Sequence, residues 1–232
     1  MSITDKNIIE LRDAFQKLKT KEDLIQLLNR SNFFLYGEKS EDFKLKSLTY
    51  YSNPRLSGDC YIEFKINKKS GGQRVIHAPN KGLKAIQGAL NLVLQSVYEP
   101  HIAATGFVRN KSIVDNARKH VGKHYVFNTD LKDFFPSIDQ ARFWGRLQYP
   151  PFNLNEDYGK LEIANRISAL CFTNLEVDRK INGKWIKEIK PVLPQGAPTS
   201  PTISNIIAES LDRKLTGLAD RFGCVYTRYA DD

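Results

Sequence analysis

Three aspartates stand at positions where carboxylates could do chemistry. Asp130 follows an apolar, strand-like run at 125–128, and the pair Asp231 and Asp232 follows a second such run at 225–228. If the two runs lie side by side in one sheet, the three carboxylates converge at its end. Like charges packed that closely repel one another unless a cation lies among them. Oxygen ligands without a nearby histidine or cysteine favour Mg²⁺, or Mn²⁺, over zinc.

A pair of such ions, about 3.5–4 Å apart, stabilises both the attacking and the leaving oxygen of an in-line phosphoryl displacement. The predicted chemistry is therefore nucleotidyl transfer or phosphodiester hydrolysis. Taken singly, Asp130 or a terminal Asp-Asp pair is more often plain solvated charge. The combination becomes specific because the loop LPQGAP at 193–198 lies between them in the chain.

The charge balance points to a polyanionic partner. The 232 residues carry a formal net charge of +9. No acidic residue lies between Phe64 and Tyr98, a stretch that contains Lys65, Lys68, Lys69, Arg74, Lys81 and Lys84. The alternatives are a solvated basic face and a surface for phosphate contact, which is favoured because most of these residues flank a predicted hairpin turn.

Other sequence features limit the classes of protein. No apolar run is long enough to cross a bilayer, and the N-terminus has no secretion signal, so we expect a cytoplasmic protein with no membrane partner. Cys60, Cys171 and Cys224 are odd in number and widely spaced, which favours buried thiols over disulfides or zinc.

The elements that must position the aspartates give an α+β pattern. Apolar periodicity predicts helices over 8–18, 83–94, 138–148, 158–172 and 200–218, with helix starts at Thr20 and Ser112. Alternating residues predict a hairpin over 61–77 that turns at Gly71-Gly72, and a second one that turns at Asn182-Gly183. The runs at 125–128 and 225–228 are predicted strands. No linker marks a domain boundary.

Several motifs resemble those of a known family. NTDLKDFFPSI, LPQGAPTSPTISN and the terminal YADD look like the three central palm blocks of reverse transcriptases, in family order. GFVRNKSI and the basic hairpin extend the likeness upstream to about residue 55. NARKH, at 116–120, resembles the signature that precedes the first palm block in bacterial retron enzymes. The resemblance implies a right-hand fold, with a helical N-terminal extension at 1–50 and fingers plus partial palm, with an antiparallel sheet, at 51–232.

The resemblance also implies roles for individual residues. Asp130, Asp231 and Asp232 would be the catalytic triad and would bind two Mg²⁺ ions, with the Leu131 carbonyl as a further ligand. Phe135 would exclude a ribose 2′ hydroxyl, the alternative being core packing, which we assign to its neighbour Phe134.

Nucleotide binding is expected at the basic hairpin and at the PQG loop. Arg74, with Lys68 or Lys69, would grip the triphosphate, because a guanidinium offers forked donors to phosphate oxygens. Gln195 and Gly196 would shape the loop beneath the nascent base pair.

RNA contacts are expected at the retron-like helix and around the hairpin. Asn116 and His120 lie four apart, on one face of a helix, where they could contact a structured RNA or brace the palm. The other residues predicted to bind RNA are Lys81, Lys84, Arg109 and Lys111.

The resemblance implies an RNA-directed DNA polymerase that uses deoxynucleoside triphosphates and a dedicated noncoding RNA as template and primer. An RNA–DNA hybrid, a toxin or effector partner and a role in antiphage defence follow from the family alone. Since the chain ends at YADD, we expect the thumb to be absent. The alternatives are another bacterial reverse transcriptase, from a group II intron or a defence lineage, and a nucleic-acid-binding fragment without catalysis.

Overall fold

A computed structural model describes residues 3–67 and 71–232 of the chain. The N-terminal part is helical, as predicted: α1 (Asp5–Gln16) and α2 (Lys21–Tyr36) are followed by a 3₁₀ turn (Gly37–Lys39), α3 (Leu45–Tyr51) and α4 (Pro54–Ser57). Thr4 and Thr20 each close a capping box with the residue three positions on, which satisfies the free amides of the first turn.

Two antiparallel hairpins interrupt the helices. The first pairs β1 (Tyr61–Asn67) with β2 (Gln73–Pro79), and the second pairs β3 (Thr173–Ile181) with β4 (Lys184–Val192). Asn182 and Gly183, with φ of 49° and 81°, form the two-residue turn that an Asn-Gly pair favours. Both hairpins confirm the sequence prediction, but they remain two separate two-stranded sheets.

Five further helices complete the chain, and they also agree with the predicted periodicity. Their bounds are α5 (Lys81–Val97), α6 (Ile113–Arg118), α7 (Gln140–Leu147), α8 (Tyr158–Cys171) and α9 (Ser200–Arg221). One hydrophobic core runs through α1, α2, α5, α7, α8 and the start of α9. The N-terminal helices therefore share their core with the segments that carry the motifs. None of the helices described is both long and apolar enough to cross a membrane.

Neither of the two strands that were predicted to deliver the aspartates forms among the described residues. Residues 125–128 have no strand pairing among the described residues, and Tyr125 and Phe127 are 95 % and 91 % exposed. The run at 225–228 makes a single bridge, between Ala104 and Arg228. A strand needs a partner for its backbone groups, and the described residues provide one only at that bridge. The predicted common sheet is thus not formed.

The thiols follow the prediction at two of three positions. Cys60 and Cys171 are buried, and burial raises the pKa of the Cys171 thiol to about 12, which makes it unreactive. Cys224 is exposed, so the prediction of a buried thiol is wrong there. It lies just after α9, where the chain is open to solvent.

Candidate active site

The two acidic segments meet through the backbone. The Leu131 amide donates a hydrogen bond of 2.9 Å to the carbonyl oxygen of Asp231, which brings Asp130 beside the terminal pair. Residues 229–232 form a tight turn in which the Tyr229 and Asp232 amides each donate to the other residue's carbonyl. Ala230 has a φ of 60°, a left-handed conformation that is unusual for alanine. The predicted proximity of the aspartate segments therefore arises from a turn and one backbone bond rather than from a sheet.

The carboxylates influence one another electrostatically. Partial burial, together with the negative charges of Asp231 and Asp130, raises the pKa of the Asp232 carboxyl. This repulsion is what a bound divalent cation would relieve. The three carboxylates therefore supply the oxygen ligands that a hard cation such as Mg²⁺ prefers. Their side chains are not gathered into a ligand set, since residues 3–67 and 71–232 contain no cluster of three or more acidic, histidine or cysteine side chains able to hold a metal.

A cleft of about 890 Å³ lies between the aspartate segments and the first hairpin. The predicted site residues that line it are Arg74, Asp130, Leu131, Phe135, Gln195 and Asp231. Asp232 and Gly196 are not among its lining residues. Lys68 and Lys69 lie outside the described residues. One cavity thus brings together the cation predicted to bind phosphate, two of the three carboxylates, the predicted sugar gate and the PQG loop.

Phe135 stands between the cleft and the core. Its ring lies 5.7 Å from that of Phe134 and 6.2 Å from that of Phe107, and its half-buried side chain also packs on the hydrophobic core. Phe134 is buried, as predicted, although the segment 132–137 is a series of turns rather than a strand. Sequence reasoning did not select Phe107 as a site residue. Its position in the GFVRNKSI motif was the feature that could have identified it.

The PQG loop is fastened to the first hairpin. The His77 amide donates a 2.8 Å hydrogen bond to the Gln195 carbonyl. Gly196 has a φ of 123°, and a Cβ there would lie 2.6 Å from Cγ2 of Ile76. The loop therefore needs glycine for its backbone conformation and for its close packing on β2. The loop contacts β2 here, whereas the prediction was a contact with the nascent base pair. The contact with a base pair remains a prediction.

A buried arginine holds the aspartate turn from behind. Arg228 is 2 % exposed, and its guanidinium donates to both carboxylate oxygens of Asp212 at 2.8 Å. It also donates to Asn205 Oδ1 at 2.9 Å and to the Ala230 carbonyl at 2.8 Å. Asp212 and Asn205 belong to α9, so this helix is connected directly to the turn that carries Asp231. Sequence reasoning did not select Arg228 as a site residue. A cationic residue in the apolar run just before YADD was the feature that could have identified it.

Gly106 closes the other side of the same turn. A Cβ at this position would lie 2.4 Å from the Ala230 amide nitrogen and 3.0 Å from the Tyr229 carbonyl carbon. Its carbonyl accepts a 3.0 Å hydrogen bond from Asn205 Nδ2. The loop that resembles a family motif is therefore part of the support of the aspartate turn.

The turn that follows the retron-like helix α6 braces this region, and the prediction that His120 shares a helical face with Asn116 is wrong because α6 ends at Arg118 and His120 lies in that turn. His120 Nε2 lies 2.6 Å from Oγ1 of Thr227, one residue before Arg228. Oδ1 of Asn116 is buried and has no hydrogen-bond partner among the described residues. Two roles were considered for these residues, bracing the palm and contacting RNA. The contact between His120 and Thr227 supports bracing. Contact with RNA remains a prediction for both.

The other predicted RNA-binding residues differ in their availability. Lys81 and Lys84 are exposed on the first turn of α5. Arg109 donates to the Ile3 carbonyl at 2.7 Å, and Lys111 donates to the Ala104 carbonyl at 3.0 Å. Partial burial, assisted by the charge of Lys119, lowers the pKa of Lys111. The side chains of the two lysines on α5 thus bond to no other described residue, whereas Arg109 and Lys111 have intramolecular partners.

Comparison with known proteins establishes the class to which this fold and site belong. Residues 66–232 match the model of the family described as reverse transcriptase (RNA-dependent DNA polymerase), and the chain belongs to that family.

Within it, the chain is similar to retron enzymes. It is 40 % identical over 191 residues to the retron Mx65 reverse transcriptase of Myxococcus xanthus, a match that covers 80 % of this chain and 43 % of the relative. It is 33 % identical over 175 residues to the retron Ec86 reverse transcriptase of Escherichia coli, covering 74 % and 47 %. The group II intron-encoded protein LtrA of Lactococcus lactis subsp. cremoris is 28 % identical over 185 residues, covering 77 % and 28 %. The chain thus spans less than half the length of these relatives.

Proposed function

We propose that this chain is the catalytic part of a retron-type RNA-directed DNA polymerase that synthesises DNA by nucleotidyl transfer. The observation that supports this most directly is the hydrogen bond from the Leu131 amide to the Asp231 carbonyl. It brings two acidic segments together at a cleft that also contains Arg74 and Phe135. A phosphoryl-transfer site needs this combination of carboxylates and a phosphate-binding cation.

Reverse transcriptases generally use divalent metal ions. Asp130, Asp231 and Asp232 would hold Mg²⁺ in this chain, with the Leu131 carbonyl beside them. When bound, the metal would supply positive charge to the reacting phosphate oxygens. Mn²⁺ has the same preference for oxygen ligands and serves as a spectroscopic substitute.

The remaining cleft residues would bind and select the nucleotide. The Arg74 guanidinium would donate forked hydrogen bonds to the triphosphate. The Phe135 ring would occupy the space that a ribose 2′ hydroxyl needs, so that deoxynucleotides are preferred. Gln195, held by its carbonyl to β2, would support the templating base pair from below.

We assign residues 51–232 to fingers and palm, with β1–β2 as the phosphate-binding part of the fingers, and residues 1–50 to a helical extension. The template and primer would be a noncoding RNA, contacted through the exposed Lys81 and Lys84. The similarity to retron enzymes supports this assignment over the group II intron alternative because the identity is higher, at 40 % against 28 %. An effector protein and a role in antiphage defence rest on the family resemblance alone.

Sequencing of the nucleic acid that copurifies with the protein tests the retron assignment. A covalently branched RNA–DNA molecule is the expected product, and intron RNA without branched DNA would favour the group II alternative. Primer extension with Mg²⁺ and deoxynucleotides tests the polymerase itself. Asp130→Asn should abolish extension and leave RNA binding intact, whereas RNA binding with no extension by the unmodified chain would favour a binding protein without catalysis.

A further inference from the structure

The outer face of the second hairpin carries a tryptophan that the polymerase mechanism does not use. Trp185 is 67 % exposed, and Ile189 on the same face is 75 % exposed. The opposite face contains the buried Val177 and Val192. The hairpin therefore packs through one face and presents a large aromatic ring on the other, an arrangement that is typical of a binding surface.

The base of the hairpin is anchored to the segment that follows Asp130. The Arg179 guanidinium donates to the Pro136 carbonyl at 2.8 Å and to Oδ1 of Asp139 at 2.7 Å. Lys132, two residues after Asp130, places its ammonium 6.0 Å from the centre of the Trp185 ring. Since Lys132 and residues 173–177 of β3 line the cleft, the ring stands beside its rim.

Charge around the ring favours an anionic partner. Three cations of the hairpin are ion-paired: Arg179 with Asp139, Lys187 with Glu176, and Lys190 with Glu188. Lys180, directly across from Trp185, forms no ion pair with any described residue, and neither do Lys184 at the turn and Lys132. On the face of Trp185, Asp178 is the described acid that forms no ion pair, and it lies across from Lys187. Lys180 thus shares the face of the exposed ring and Lys132 approaches the ring from the segment after Asp130, whereas Lys184, adjacent to Trp185 in the strand, belongs to the opposite face.

We propose that Trp185, with Lys132 and Lys180, is a stacking platform for single-stranded nucleic acid at the edge of the cleft. An indole face accepts any base, and neighbouring cations bind the phosphates, which is how proteins hold single strands without reading sequence. Assigning the strand as the RNA template rests on the proposed function. The platform itself rests on the geometry of the hairpin.

The fluorescence of Trp185 tests the platform directly. The chain has two tryptophans, and the other, Trp144, lies half-buried on α7 against the core. In a Trp144→Phe variant, Trp185 is the single tryptophan emitter. Titration with a 12-nucleotide oligouridylate, which has no secondary structure, should quench its emission saturably. Quenching that needs no RNA and grows with protein concentration would indicate self-association and would overturn the proposal.

Binding of the same oligonucleotide, labelled with fluorescein and followed by anisotropy, gives the second readout. Trp185→Ala should weaken binding roughly 5- to 100-fold, and Trp185→Phe should retain most of it. The matched control is Tyr158→Ala, which removes an aromatic ring that is 84 % exposed at the start of α8 and should not change binding. In a plot of log affinity against log salt concentration, Lys180→Gln should make the slope shallower by about one, because one phosphate contact is lost.

Unchanged affinity of Trp185→Ala, or no quenching at saturating RNA, would overturn the platform. These outcomes are distinguishable from failure of the proposed function. If the unmodified chain does not extend primers but Trp185 is still quenched by RNA, the platform stands and the polymerase proposal fails. If extension occurs and the quenching is absent, the platform fails and the polymerase proposal stands.

Discussion

At the scale of single residues, the site separates into groups that would act on the substrate and groups that support them. Asp130, Arg74 and Phe135 line the cleft, and so does Phe134, which is 8 % exposed. The two phenylalanines are adjacent in the chain and differ in exposure, since Phe134 is buried whereas Phe135 is half-buried and packs on the hydrophobic core.

Phe135→Ala should admit ribonucleotides. Removing the ring opens space for the 2′ hydroxyl, so the preference for deoxynucleotides should fall by at least about tenfold in single-nucleotide incorporation. Phe134→Leu is the matched control, because it changes the neighbouring, more deeply buried ring and should leave sugar selection intact. Unchanged selection in Phe135→Ala, with folding verified by urea denaturation, would assign this ring to packing alone.

At the scale of elements, α9 and the loop at Gly106 hold the aspartate turn from two sides. Arg228 connects the Ala230 carbonyl to Asp212 and Asn205 on α9, and Gly106 allows the loop to approach the Ala230 amide. Tyr226 donates to the same Asp212 carboxylate at 3.0 Å, and burial raises the pKa of its phenol. The turn therefore depends on contacts that are distant in sequence.

Breaking the buried pair on one side should be costly. Arg228→Met leaves the Asp212 carboxylate uncompensated and should lower the free energy of unfolding by about 3–5 kcal/mol, as measured in urea. Arg228→Met combined with Asp212→Leu should recover much of this loss, because no charge then remains buried. The double variant should still bind Mn²⁺ more weakly than the unmodified chain, since Ala230 has lost its donor. Full recovery of both properties would limit the pair to a role in stability.

Gly106→Ala should distort the turn. Its Cβ would meet backbone atoms of Ala230 and Tyr229, which cannot move independently of the turn, so we expect a loss of about 1–3 kcal/mol in the free energy of unfolding. Gly145→Ala, in α7 where nothing lies within 4 Å of the added methyl, should instead stabilise the chain by about 0.5–1 kcal/mol. Equal effects of the two substitutions would contradict the close approach at Gly106.

At the scale of the whole molecule, the features predicted correctly from the sequence are those that depend on residues close together in the chain. Helix periodicity, the caps at Thr20 and Ser112 and the Asn182-Gly183 turn all appear in the structure. The strands at 125–128 and 225–228 failed because strand formation depends on a partner, which β propensity does not supply. The buried Arg228 was missed for a related reason. A cation is an improbable core residue until the acid that neutralises it is known, and Asp212 lies on another element.

The central claim is that Asp130 and the Asp231–Asp232 pair form one divalent-metal site, and Mn²⁺ binding followed by electron paramagnetic resonance tests it most directly. The unmodified chain should bind Mn²⁺ saturably. Removing even an indirect partner of a metal ligand costs about 10- to 100-fold in affinity, so Asp130→Asn and Asp231→Asn should each weaken binding at least tenfold. Asp133→Asn, which removes a cleft carboxylate given no metal role, should leave it unchanged. Binding that survives both Asp130→Asn and Asp231→Asn would contradict the shared metal site.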